Sequence, residues 1–222
     1  MSVKKANPFS ILFWANLSFL ILTFVAMIVY RGGSYHIHEA VGYNFFRNFF
    51  SDLGRVHTFV NTSNLRSQVL FCFAILLLSG GLSFFIRPFL LRLRESKSFP
   101  IAYYTALISA YFFSIFLLGV AATPYDLFFP QHLLAVRIAF ILLVPLCLSI
   151  SFLVYHHEEL PNRYFMLLLF DVVMLCVYIF ILFKGPRISD SPTFQPVSQK
   201  IIVYMLSLGM LYLSAGAQKY LK

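Results

Sequence analysis

LLAVRIAFILLVPLCLSISFLVY (Leu133–Tyr155) carries a single charged residue, Arg137, in a run long enough to cross a lipid bilayer. A helix rises about 1.5 Å per residue, so roughly 20 apolar residues span the hydrocarbon core, with each backbone polar group bonded inside the helix. Five more runs of this kind surround it: Phe9–Tyr30, Ser67–Ile86, Ile101–Ala122, Tyr164–Phe183 and Ile201–Tyr220. The run Tyr164–Phe183 contains Asp171, and Ser207, Ser214 and Gly216 dilute the last one. Short connections make neighbours in sequence antiparallel neighbours in space. The chain therefore reads as all-α: a polytopic membrane protein with six transmembrane helices in one bundle, residues 1–222 forming a single membrane domain.

Composition excludes the main alternative. The 222 residues are 60% hydrophobic and 11% charged, whereas soluble domains carry roughly a quarter charged residues. Such a chain cannot cover a water-facing surface. Its 27 Phe, 13 Tyr and one Trp cluster near the ends of apolar runs, as in an interfacial belt. The net charge of +9 comes mostly from basic residues flanking spans, so membrane lipids, with anionic headgroups as counter-charge, are the expected partners and nucleic acid is not. A protein partner or a second copy of the chain stays open. Cys72, Cys147 and Cys176 each sit inside an apolar run and read as small hydrophobes, with no disulfide framework. No nucleotide-binding loop or soluble catalytic domain is visible, which places any chemistry in or at the bilayer.

Phe9–Tyr30 is too long for an ordinary leader core and lacks a small-residue cleavage site, so it reads as a span. Basic residues set the orientation. Arg87, Arg92, Arg94 and Lys97 lie between spans two and three, and Thr123–His132 has no Lys or Arg. The positive-inside rule then puts both termini, with Lys4, Lys5, Lys219 and Lys222, in the cytoplasm of a plasma (inner) membrane. Against this, Arg31, Arg47, Arg55 and Arg66 fall in the first outer loop, and Lys184, Arg187 and Lys200 in the last.

The first outer loop is the richest in polar signals. In Glu39–Gly54, Phe45, Phe46, Phe49, Phe50 and Leu53 recur at helical spacing, with Asn44, Asn48, Ser51 and Asp52 on another face. The pattern predicts a short amphipathic helix at the membrane surface, stopped at Gly54, with Asp52 aimed at the bundle mouth. The loop Thr123–His132 lies on the same side, and Pro130 marks a new helix start. Arg137, about one turn into span four, is expected to snorkel toward the carboxylates above it. Asp52, Asp126, His57, His132 and Arg137 thus make a candidate polar mouth.

The stretch Phe50-Ser-Asp-Leu-Gly54, the Pro124-Tyr-Asp126 turn and His132 resemble the signature patches of bacterial and archaeal six-helix membrane proteins distantly similar to the FRAG/DRAM/Sfk superfamily. That superfamily includes eukaryotic factors of GPI-anchor lipid remodelling and autophagy modulators. The resemblance implies the layout of a polar first loop followed by five spans, and it touches Ser51, Asp52, Gly54, Asp126 and His132. No settled chemistry comes with it.

Three functions fit these residues. In the first, the mouth binds or handles a lipid or its headgroup through Asp126, Arg137, His57 and Asn48. In the second, the protein is a lipid hydrolase or acyltransferase. Asp52, Asp126 and His132 would then hold a divalent metal such as zinc, or His132 would act as base with Ser51 as nucleophile and Asp52 as orienting acid. In the third, Asp171, roughly 10 Å deep in its span, serves a transporter or proton pathway. Its structural reading is a carboxyl hydrogen-bonded to neighbouring Ser or Tyr side chains.

Overall fold

The computed structural model describes residues 7–94 and 99–221. Lys4, Lys5, Lys97 and Lys222, used above for orientation, lie outside them. Six helices appear: α1 (Pro8–Val29), α2 (Leu65–Arg94), α3 (Pro100–Ala122), α4 (Phe129–Tyr155), α5 (Asn162–Ile188) and α6 (Phe194–Tyr220). All six are long and apolar enough to cross a membrane. Only 28–50% of the residues in each apolar window are buried. The outward surface is thus largely apolar, which lipid tolerates and water does not.

Starts and stops follow local chemistry. The Asn7 side chain accepts from the Phe9 N–H at 3.1 Å, and Pro opens α1, α3 and α4 at the first or second helical position, where a missing N–H costs nothing. α6 begins at Phe194, about two turns before the apolar run that marks it in the sequence. Gln199 and Lys200 therefore lie inside a helix and not in the last loop.

Each helix packs on the next, and α6 returns to α1. Small residues set the closest approaches: a side chain on Gly81 of α2 would overlap Ala15 of α1, and one on Gly216 of α6 would overlap the Tyr164 ring of α5. Such contacts suit a membrane, where packing rather than water exclusion joins helices. A ring of six leaves space along its axis, and the first loop closes one end of it. This end, shared with the Thr123–Phe128 turn, is the loop end.

The first loop holds less helix than its pattern predicts. Asn44–Asn48 is a hydrogen-bonded turn, and the helical part is the five-residue 3₁₀ turn Phe50–Gly54. Its residues are all buried, as is Asn48, while Phe45 and Phe46 are exposed. Asn48, Ser51 and Asp52 point inward, as expected for Asp52, while Asn44 is exposed and part of the aromatic face points away from the bundle. The reason lies in Asn48, Asp52 and Lys200, whose hydrogen bonds draw them inside.

Candidate functional site: the loop cap and the cavity beneath it

Asn48 sits at the centre of the cap, fully buried. Its Nδ2 donates to the Gly33 carbonyl at 2.8 Å and to Asp52 Oδ2 at 3.0 Å, and its Oδ1 accepts from the Asn44 N–H at 2.9 Å. Gly33 presents that carbonyl from φ +81°, and a side chain there would meet the His38 carbonyl, so only glycine fits. Asp52 Oδ2 also accepts from the Phe49 N–H at 2.9 Å. Burial pushes the Asp52 carboxyl up to about 6, against the opposing pull of the Asn48 hydrogen bond, Arg55, the Phe49 N–H and Lys200. Burial likewise raises Tyr43, whose hydroxyl donates to the Phe49 carbonyl at 3.1 Å.

α6 completes the cap. Lys200, with no exposed surface, donates from Nζ to the carbonyls of Asn48 and Pro196, and Tyr43 and Phe45 present ring faces to it. The neighbouring Gln199 accepts the Phe50 N–H on Oε1 at 2.7 Å. From the start of α2, Asn64 donates to the carbonyls of Leu53 and Arg55, and Ser67 to that of Leu53. Gly54 lets the Phe71 ring lie flush: a Cβ would stand 2.7 and 2.8 Å from its atoms. The Ser51–Gly54 patch is thus a buried plug.

The mouth residues read from the sequence come near one another without forming one site. Asp126 accepts the N–H groups of Val56 and His57 at 3.0 and 2.9 Å, and the His57 ring stands 3.7 Å away on the exposed side. His132 donates from Nδ1 to the Thr123 carbonyl at 2.7 Å. A carbonyl only accepts, so Nδ1 carries a proton, and Nε2 is buried without a hydrogen-bond partner among the described residues. No hydrogen bond joins Ser51, Asp52 and His132 among the described residues, so the nucleophile–base arrangement is not assembled. Among the described residues no three His, Cys, Asp or Glu side chains group so as to hold a metal ion. Asp52, Asp126 and His132 are instead held apart by backbone partners of their own. Arg137 also departs from expectation. It stacks 4.8 Å from the Phe183 ring centroid of α5 and pairs with no carboxylate among the described residues. The aromatic face on the next helix is nearer than the mouth above.

Below the plug lies a cavity of about 170 Å³, lined by residues of all six helices together with Phe50 and Ser51. Apolar cavities of roughly 150 Å³ take a benzene-sized ligand. This one is drawn out along the bundle axis. Its wall on α6 runs from Gln199 to Leu213, and on α4 from Val136 to Ile150, each roughly 20 Å at helical rise. That shape suits one unbranched hydrocarbon chain better than a ring system. Polar lining is sparse: Asn16, Asp171, Ser207 and Gln199 stand among Leu, Phe, Val and Met. Asp171 does not form the expected bonds to Ser or Tyr, and its Oδ1 has no partner among the described residues.

Asn16, Gln199 and Lys200 are absent from the sequence-derived site. An amide alone in an apolar span is as informative as an acid alone, and by that rule Asn16 was visible. Lys200 was not, because its partner Asn48 is 152 residues away. The chain matches no family model, no curated protein and no solved structure.

Proposed function

We propose that this membrane protein binds the hydrocarbon chain of a membrane lipid inside its helix ring, with residues 31–64 as the cap of the site. The cavity carries the reading. Packed cores leave little empty space, since void-lining atoms lose their dispersion partners. An elongated apolar void within reach of lipid is filled most readily by a lipid chain. Most of the cap's polar groups are engaged with one another and with backbone, and none of Asn48, Asp52 and Asn64 lines the cavity, which argues for a closure and against a headgroup-binding mouth. The basic cluster on α2 favours a loop end on the non-cytoplasmic side of a plasma membrane, with both termini cytoplasmic. Labelling a cysteine at position 128, but not at position 94, with an impermeant reagent on intact cells is the expected outcome; the reverse pattern inverts the orientation.

The test is crosslinking with a long-chain alkyl diazirine in nanodiscs, mapped by mass spectrometry. Labels should fall on Leu78, Phe113 and Leu143, which line the cavity. Ala139→Trp and Leu78→Trp, which fill it from different helices, should each abolish interior labelling while leaving labels on lipid-facing Phe24 and Phe180. Labelling confined to the outer faces in the unmodified protein sinks the proposal.

A further inference from the structure

The apolar wall of the cavity breaks beneath the cap, at Ser51 and Gln199, and again midway along, where α1 and α5 flank α6. Asn16 of α1 has no exposed surface. Its Nδ2 donates to the Ser207 carbonyl of α6 at 2.6 Å, and its Oδ1 has no donor among the described residues. Asp171 of α5 is 4% exposed. Its Oδ2 lies 3.0 Å from the place a Cβ on Gly209 would occupy, so the missing side chain lets the carboxyl lie against α6. Its Oδ1 has no donor either. Asn16, Asp171, Ser207 and Gly209 all line the cavity.

Two oxygens without partners among the described residues, buried in an otherwise apolar space, mark the missing group. Asn16 Oδ1 can only accept, and Asp171 accepts when ionised and keeps an acceptor oxygen when protonated, so the group that serves both is a donor. Ester carbonyls, phosphates and carboxylates are therefore poorly matched, and an ionised carboxylate would also face Asp171. A hydroxyl or an ammonium is well matched. The longer arm of the cavity runs from Ser207 toward Gln199 and Phe50, roughly 12 Å at helical rise. An extended chain attached to such a group can lie along that arm.

We propose that the Asn16–Asp171 level is the polar anchor of the bound lipid, and that the ligand is a single-chain amphiphile whose polar end is a hydrogen-bond donor, a primary alcohol or a protonated amine. The donor sits between Asn16 Oδ1 and Asp171 Oδ1, and the chain runs toward the cap. This inference rests on the reading of the cavity as a lipid-chain site.

The test uses the full chain in nanodiscs with an alkyl diazirine probe bound in the cavity. Dodecan-1-ol, dodecylamine, dodecanoate and dodecane are each titrated as competitors by mole fraction in the bilayer, at pH 7.5. The alcohol and the amine should displace the probe at about tenfold lower mole fraction than dodecane, the effect of one hydrogen bond to a charged or buried acceptor. Dodecanoate should be the weakest. Asp171→Asn should lower the amine to the level of the alcohol or below. Asn16→Leu combined with Asp171→Leu should bring alcohol and amine to the level of dodecane while dodecane still competes. Equal competition by all four in the unmodified protein, as when a buried water alone satisfies Asn16 and Asp171, overturns the anchor and leaves the cavity reading standing. Failure of all four, dodecane included, removes the cavity reading itself. The ranking needs no substitution, so it decides even where a variant does not fold.

Discussion

At the cap, Asn48 meets three partners and Asp52 Oδ2 two, while Lys200 fills in behind them from α6. Midway along the cavity, Asn16 and Asp171 are buried as deeply, yet among the described residues Asn16 makes one side-chain hydrogen bond and Asp171 none, and each turns an unpartnered oxygen into a cavity wall. Burial of polar atoms is costly unless hydrogen bonds replace water. The cap meets that condition for most of its polar groups with its own backbone and side chains, so its polar residues hold the fold. At the cavity level Asn16 has one hydrogen bond and Asp171 none among the described residues, so these groups have capacity for something else. A polar cluster at a bundle mouth invites a functional reading, but the unpartnered oxygens that face the cavity lie deeper. Asp52 Oδ1, Asn64 Oδ1 and His132 Nε2 also lack partners among the described residues; none of these three residues lines the cavity, as Asn16 and Asp171 do.

The widest gap should come from removing one carboxylate in each region. Asp52→Ala strands the Asn48 amide and the Phe49 N–H and leaves the Lys200 ammonium without its counter-charge. A loss of roughly 3–5 kcal/mol is expected, as for breaking a buried charged network. Asp171→Ala strands no donor, and its effect should stay within about 1 kcal/mol, since trimming to Ala also leaves a void. Thermal unfolding in one detergent compares them directly. A larger loss at Asp171 would invert the contrast.

Acidity sharpens it next. The folded-state value of Asp52, about 6, lies above its ordinary 3.8. Between those values the folded cap keeps a proton that the unfolded chain has released. Stability from this group is therefore fully present below pH 3.8, declines as pH rises toward 6, and is flat above. The span is about 3 kcal/mol. Hydrogen exchange of residues 48–56 should slow from pH 7.5 to pH 5 after correction for intrinsic rates. Asp52→Asn should remove the dependence. Lys200→Met, which deletes a cation that favours the charged carboxylate, should move the transition to higher pH. An unchanged profile in Asp52→Asn would assign the dependence to another group.

Gly54→Ala tests packing rather than charge. The new Cβ would crowd the Phe71 ring, itself 3% exposed and with little room to retreat. Overpacking of this kind costs roughly 1–3 kcal/mol. Gly80→Ala, whose added Cβ meets nothing within 4 Å, is the control. It should be neutral or slightly stabilising through helix propensity. Equal melting temperatures for the two would show that Phe71 can shift and that the plug is looser than its contacts suggest.

Six spans were legible because a long apolar run bounded by polar residues has one stable outcome in a bilayer. The start of α6 was not, since Gln199 and Lys200 read as loop until the first loop folds over them and supplies partners. Asp52 was found by its position before span two, and its partner Asn48 by the i, i+4 spacing. Arg137 was placed on the right helix and given the wrong partner, because spacing fixes a side chain's level and not which neighbour it meets. The cavity was invisible, as sequence shows apolar faces but not how closely they meet. Asp171 stood out as an acid within a span; its pairing in level with Asn16 depends on how α1 and α5 flank α6.

The smallest effect should come at the rim, where cap and solvent meet. Asp126 accepts two backbone N–H groups, one on each oxygen. Asp126→Asn keeps one acceptor and turns the other into a donor facing an N–H. Because the adjacent His57 ring is exposed, water can reach that edge, so the cost should be about 1 kcal/mol and not the several expected at Asp52. His57→Ala removes only a long, solvent-facing contact and should cost less than about 0.5 kcal/mol. If the cap is a closure, Asp126→Asn should also speed uptake of the alkyl diazirine into the cavity without changing how much is bound at equilibrium. Faster labelling with an unchanged plateau would mark Asp126 as a latch on the cap. A lower plateau with an unchanged rate would make it part of the binding site, and the contrast between a self-satisfied cap and a ligand-seeking cavity would then fail at its edge.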